Sequence, residues 1–151
     1  MLHKPTETEW ISNPFDCSKI WRYRSLKLLE APAQLVVVTD ITSFYDAIHH
    51  EVLLSDLKAA GVDHALANYL VGPLLGRWSV VNGRGIPQGL SASDLLAKLY
   101  LNVVDHALAG ASHQHLRYVD DIRIFCDSTA SARRSLLLLQ NLLRNRGLAL
   151  Q

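Results

Sequence analysis

The feature that most constrains this chain is Gln34–Thr39, QLVVVT, a β-branched run that ends abruptly on Asp40. Without polar alternation, such a run predicts a strand buried on both faces. A second pair of apolar runs, His115–Val119 and Ile122–Cys126, is interrupted by Asp120-Asp121. That pattern predicts two strands with adjacent like charges at the bend between them. An unpaired carboxylate is costly to bury, and a tandem pair adds repulsion. Propensity gives no reason to place acids there, although a solvated turn tolerates them.

Helical periodicity fills the intervals between these strands. From Phe44, a helix with Ile48, Val52, Leu53 and Leu57 on one face is predicted, closed by Gly61. Asp63 is a predicted N-cap for a second helix with Leu66, Tyr69, Leu70 and Leu74 turned inward and Pro73 as a kink. Trp78–Val81 and Arg84–Ile86 flank Asn82-Gly83, a hairpin signal. After the turn Pro87-Gln88-Gly89, Ser91-Ala-Ser-Asp94 predicts a capping box. It opens a helix that buries Leu96, Leu99, Tyr100, Val103 and Ala107. Ser128 or Thr129 can cap a last helix, rich in leucine from Leu136 to Leu143, that stops at Gly147 before a strand start at Leu148–Gln151. This order implies an α+β fold, with helices on one face of a small antiparallel sheet and the other face free for a ligand.

At 151 residues the chain fits one domain, and 49% hydrophobic with 19% charged residues is ordinary for a globular protein. A net charge of +1 decides nothing about nucleic acid. Cys17 and Cys126 match no zinc spacing and read as reduced thiols. The polar N-terminus lacks the core of a signal peptide, and no apolar run approaches a membrane span, so a cytoplasmic location is expected. His49-His50 and His113/His115 have no metal-ligand spacing and read as solvated helix and loop positions. Asp46, Asp56 and Asp105 are expected to be exposed acids, and Arg133-Arg134 and Arg144/Arg146 solvated helix charge, with phosphate contact as the alternative.

A divalent cation reverses the electrostatic problem posed by Asp40 and Asp120-Asp121, because hard cations seek clustered carboxylate oxygens. Two Mg²⁺ ions about 3.5–4 Å apart can activate a hydroxyl and stabilise a leaving oxygen in phosphoryl displacement. Spacing alone leaves this reading open beside that of a solvated turn.

Three motifs in order add to it. Asp40-Ile-Thr-Ser-Phe-Tyr-Asp46, then Gly85-Ile-Pro-Gln-Gly89 with Ser93 and Leu96-Ala97, then Tyr118-Val-Asp-Asp121 resemble the reverse transcriptase family. The resemblance covers roughly Leu35 to Leu150 and is similar to bacterial types: retron, group II intron, or abortive-infection and antiviral defence groups. It implies a polymerase palm over residues 31–151, with residues 1–30 a remnant of the fingers or an N-terminal extension. It implies an RNA-directed DNA polymerase that binds an RNA template, a DNA primer and deoxynucleoside triphosphates, with no membrane. Asp40 and Asp120 would hold two Mg²⁺ (or Mn²⁺) ions, with Asp121 as the neighbouring carboxylate and the Ile41 carbonyl completing a metal shell. Tyr45 would be the aromatic gate against a 2′-hydroxyl. Gln88 and Gly89 would line the nucleotide and template pocket, and Tyr118 and Val119 would support the primer end.

The family's basic fingers residues have only loose counterparts in Arg22, Arg24 and Lys27. Gly147–Gln151 resembles the start of a motif whose lysine lies beyond the last residue, and no thumb follows. The chain alone is therefore expected to be a poor polymerase that needs the missing polymerase segments or a homo-oligomer. The alternative is a non-catalytic palm remnant that acts by binding RNA or protein.

Overall fold

The computed structural model describes residues 35–79 and 81–151. Cys17, the aromatic anchors Trp10, Phe15, Trp21 and Tyr23, and the basic candidates Arg22, Arg24 and Lys27 lie outside the described residues. So do residues 1–30 as a proposed segment.

Strands β1 (Leu35–Thr39), β2 (Gln114–Tyr118) and β3 (Asp121–Cys126) form an antiparallel sheet in the order β1-β3-β2. In its register Val37 opposes Ile124, which opposes His115, and Thr39 opposes Ile122, which opposes Arg117. Residues two apart share a face. Ile122, Ile124 and Cys126 therefore turn to the core, on the same face as the largely covered side chains of His115 and Arg117. The helices α4 (Ser91–Gly110) and α5 (Thr129–Arg144) pack on that side. The expected double burial of β1 does not hold. β1 is an edge strand among the described residues, and Val38, on the face away from the helices, is 63% exposed.

The helix expected from Phe44 is two helices, α1 (Phe44–Ala47) and α2 (His50–Ala59), parted by extended backbone at Ile48 and His49. The break frees backbone groups that the Asn82-Gly83 segment then occupies. Gly85 N–H donates to Ile48 C=O at 2.9 Å, and Ile86 N–H to Tyr45 C=O at 3.0 Å. The predicted hairpin shrinks to a single Val81–Arg84 bridge, and Arg84 also bridges His49. Trp78 ends a 3₁₀ turn rather than beginning a strand.

Asp63 caps α3 (His64–Tyr69) as expected, accepting from Leu66 N–H at 3.0 Å. Pro73 then loosens the chain into a π-helical turn over Leu70–Leu74. The inward face differs from the expected one: Ala67, Val71 and Leu75 are buried, while Leu66, Tyr69 and Leu74 are exposed. In α4 the stripe is likewise shifted by one residue. Ala97, Tyr100, Leu101, Val104 and Leu108 are buried and Val103 is exposed. A long apolar helix offers two plausible stripes, and the packing partners choose between them.

Ser128 Oγ caps α5 by accepting from Ser131 N–H at 3.2 Å. Gly147, at φ +74°, turns the chain back, and Leu150 bridges Ile41. Thr42 N–H donates to Ala149 C=O and Gln151 N–H to Asp40 C=O, each at 2.9 Å. The expected strand start at Leu148–Gln151 is thus realised as pairing with the segment just beyond β1. Cys126 is buried, as a structural thiol should be.

Candidate active site

Because β1 and β3 pair in register to Thr39–Ile122, one further step sets Asp40 opposite Asp121. Asp40 falls on the same face as Val38, away from the helices. Asp120 lies in the two-residue turn between Tyr118 and Asp121, which themselves pair. The three carboxylates thereby line one open cleft of about 600 Å³ with Val38, Thr39, Tyr118 and Gln151.

Partial burial raises the Asp120 carboxyl above its ordinary range, and repulsion from Asp40 and Asp121 raises it further against the lowering effect of backbone N–H donors. Burial also raises Asp121, with Asp40 adding to it and Arg123 opposing it. These groups share one field and repel one another, which favours a bound cation. Asp40 is held by its own Oδ1, which accepts from Ile41 N–H at 2.9 Å. Ile41 faces Leu150 in a non-hydrogen-bonded pair, since the ladder bonds belong to its neighbours.

The carboxylate oxygens suit Mg²⁺ or Mn²⁺ in kind, as hard donors, whereas Ile41, expected to lend its carbonyl, is buried in the core and is absent from the cleft lining. The carboxylates do not form a closed cage. Among the described residues no group of three or more His, Cys, Asp or Glu side chains could hold a metal ion. Mg²⁺ characteristically takes one or two carboxylates and completes its shell with water and substrate phosphate, so an incomplete protein shell fits that use.

Tyr45 projects from α1, and its hydroxyl donates to Asp94 Oδ1 at 2.5 Å. Burial and then this bond hold the hydroxyl well above its ordinary pKa, with smaller effects from Asp120 and Tyr118. Tyr45 therefore sits within electrostatic reach of the carboxylate cleft. The predicted capping box is not formed: the N-cap of α4 is Leu90, without a side-chain cap, and Asp94 serves the tyrosine instead. Gln88 and Gly89 (φ +84°) lie on an exposed turn before α4 and do not line the carboxylate cleft.

Several polar residues read as solvated are structural. His50 is only 6% exposed; its Nε2 lies 2.7 Å from Gly85 C=O and 3.2 Å from Ser79 Oγ, tying the Pro-Gln-Gly approach to α2. Asp105 and Arg117 form a bidentate pair, with His115 Nε2 3.5 Å from Asp105. Asp56 pairs with Arg146, whose guanidinium lies 4.2 Å over the Tyr100 ring. Each joins residues far apart in sequence, and no local spacing signals them.

Among the described residues, a three-stranded antiparallel sheet backed by helices, with paired carboxylates at the strand ends, defines a polymerase palm-like fold. The sequence matches the family model "Reverse transcriptase (RNA-dependent DNA polymerase)" over residues 5–151, and the chain belongs to that family. Among solved structures it is similar to apo telomerase from Candida tropicalis truncated from its C-terminal domain, with TM-score 0.56 and 15% identity. The match covers 98% of this chain and 34% of that one, so this chain spans about a third of its length. No curated protein matches the sequence. No helix among the described residues is long and apolar enough to cross a membrane.

Proposed function

We propose that the chain is the palm of an RNA-directed DNA polymerase, acting by two-metal nucleotidyl transfer as part of a larger enzyme. The observation that carries this reading is the convergence of Asp40, Asp120 and Asp121 on one open cleft, where Asp40 helps raise the pKa of the other two. Asp40 and Asp120 would hold the ions and Asp121 would add negative field, with the Ile41 carbonyl, just beyond the cleft lining, as a further ligand. Two bound Mg²⁺ ions supply activation of the primer hydroxyl and charge stabilisation at the leaving oxygen. Tyr45 stands beside the cleft as the sugar gate, anchored at its hydroxyl by Asp94 and at its backbone by Ile86. Gln88 and Gly89 serve the nucleotide and template from the turn before α4, and the positive φ of Gly89 suits close backbone approach. Template RNA, DNA primer and deoxynucleoside triphosphates are the substrates of this reading.

The test is primer extension on an RNA template, in a protein that supplies fingers and thumb around this palm. Asp120→Ala is expected to lower nucleotide addition by more than about 10²-fold, the scale of a lost transition-state charge contact. Extension that survives this change would remove Asp120 from the chemistry, whereas no extension by the wild type would favour a palm that acts by binding alone.

A further inference from the structure

We propose that Arg117 is a positioning residue for Asp120: from behind the sheet it clamps the strained turn that aims this carboxylate into the cleft. The inference rests on the reading of Asp120 as a metal ligand. Val119, immediately before Asp120, has φ +56°. A β-branched residue is disfavoured in that region and stays there only where its surroundings over-determine it. The turn must therefore be held.

The holding group is visible. Arg117 Nε and Nη2 donate to the two oxygens of Asp105 at 2.9 and 2.5 Å. The remaining arm, Nη1, donates to Val119 C=O at 2.9 Å. That carbonyl belongs to the peptide joining Val119 to Asp120, so its direction sets how Asp120 leaves the turn. The guanidinium is planar, so fixing two arms on Asp105 fixes where the third points. Asp105 rides on α4, and His115 stands beside it, with its own Nδ1 3.1 Å from His113 C=O. The Arg117 side chain is 9% exposed and is absent from the cleft lining, so it touches neither metal nor substrate there. It acts only through the Val119 peptide.

The experiment measures Mn²⁺ binding to this chain by electron paramagnetic resonance, with thermal melting of the metal-free protein alongside. Arg117→Gln is expected to weaken Mn²⁺ binding about tenfold, the lower end of effects seen when a ligand's supporting group is lost. Val119→Gly removes the strain that drives the turn to relax. Combined with Arg117→Gln it is expected to recover most of the lost Mn²⁺ affinity, whether or not melting recovers. A merely structural arginine predicts the opposite, with both losses adding. If Arg117→Gln does not fold, Asp105→Asn frees the same clamp and is read in the same two ways. Unchanged Mn²⁺ affinity in the clamp variants, or a loss that Val119→Gly deepens, overturns the positioning role. Absence of Mn²⁺ binding in the wild type overturns the two-metal reading, and this inference with it.

Discussion

Arg117 and Arg146 each pair with a helix aspartate, Asp105 of α4 and Asp56 of α2, but they serve different ends. Arg146 joins the turn after α5 to Asp56 of α2, stacks on Tyr100, and has its own carbonyl bonded by the Tyr100 hydroxyl at 2.5 Å. It ties together three segments that carry no cleft residue. Arg117 spends its fork on Asp105 and its last donor on a strained peptide next to Asp120. One pair closes the fold. The other transmits the fold's rigidity to a site where like charges repel. The comparison teaches that the same chemical pair can support stability or geometry, depending on what its remaining donor reaches.

The comparison can be broken by substitution, beginning with the closing pair. Arg146→Ala leaves Asp56 mostly buried without its cation and removes the stacking on Tyr100. It is expected to cost about 2–4 kcal/mol, read as a large fall in melting temperature, with Mn²⁺ affinity of the folded fraction unchanged. A weakened metal site at constant stability would show that this region also serves the cleft.

On the cleft side, Tyr45→Val is expected to relax discrimination against ribonucleotides by about tenfold in the complete polymerase, by enlarging the space a 2′-hydroxyl needs. Equal use of both sugars by the wild type would cancel the gate assignment.

Gly147→Ala tests the closing region more gently. The position has φ +74°, and a Cβ there would run into the far end of the His49 imidazole. His49 can swing away, so the residual cost is backbone strain of about 1 kcal/mol, seen as a small drop in melting temperature.

The smallest effect has the opposite sign. Asp120 ionises less readily in the fold than its ordinary value of 3.8, so its charge opposes folding once pH rises through the folded pKa. Asp120→Asn is therefore expected to raise the melting temperature of the metal-free chain, by at most about 2 °C after solvent screening. That gain should shrink as pH falls from about 7 toward the carboxylate range, where the wild-type acid regains its proton. A gain that grows on acidification would mean that the carboxylates do not repel.

Much of the site was legible because its signals are local. Asp40 after a β-branched run, and Asp120-Asp121 between two apolar runs, mark strand ends, and the long-range pairing of β1 with β3 then brings them to one cleft. Asp63 and Ser128 were legible as caps for the same reason: a side chain meets a backbone group three residues on. Ser91–Asp94 carried the same local signal and misled, because Tyr45, 49 residues away, takes the Asp94 oxygen. Asp105, Arg117, His50 and Arg146 carried no signal, since a polar residue's burial depends on which distant element covers it.

The sequence by itself determined the alternation of strands and helices, the antiparallel sheet and the carboxylates at its strand ends, because strand period, caps and turns act over a few residues. Only the tertiary structure decided which stripe of α4 faces the core, that β1 lies at an edge, and that Arg117 reaches the Val119 carbonyl. Those outcomes follow from packing between elements far apart in the chain, where burial and hydrogen-bond satisfaction are set jointly by both partners.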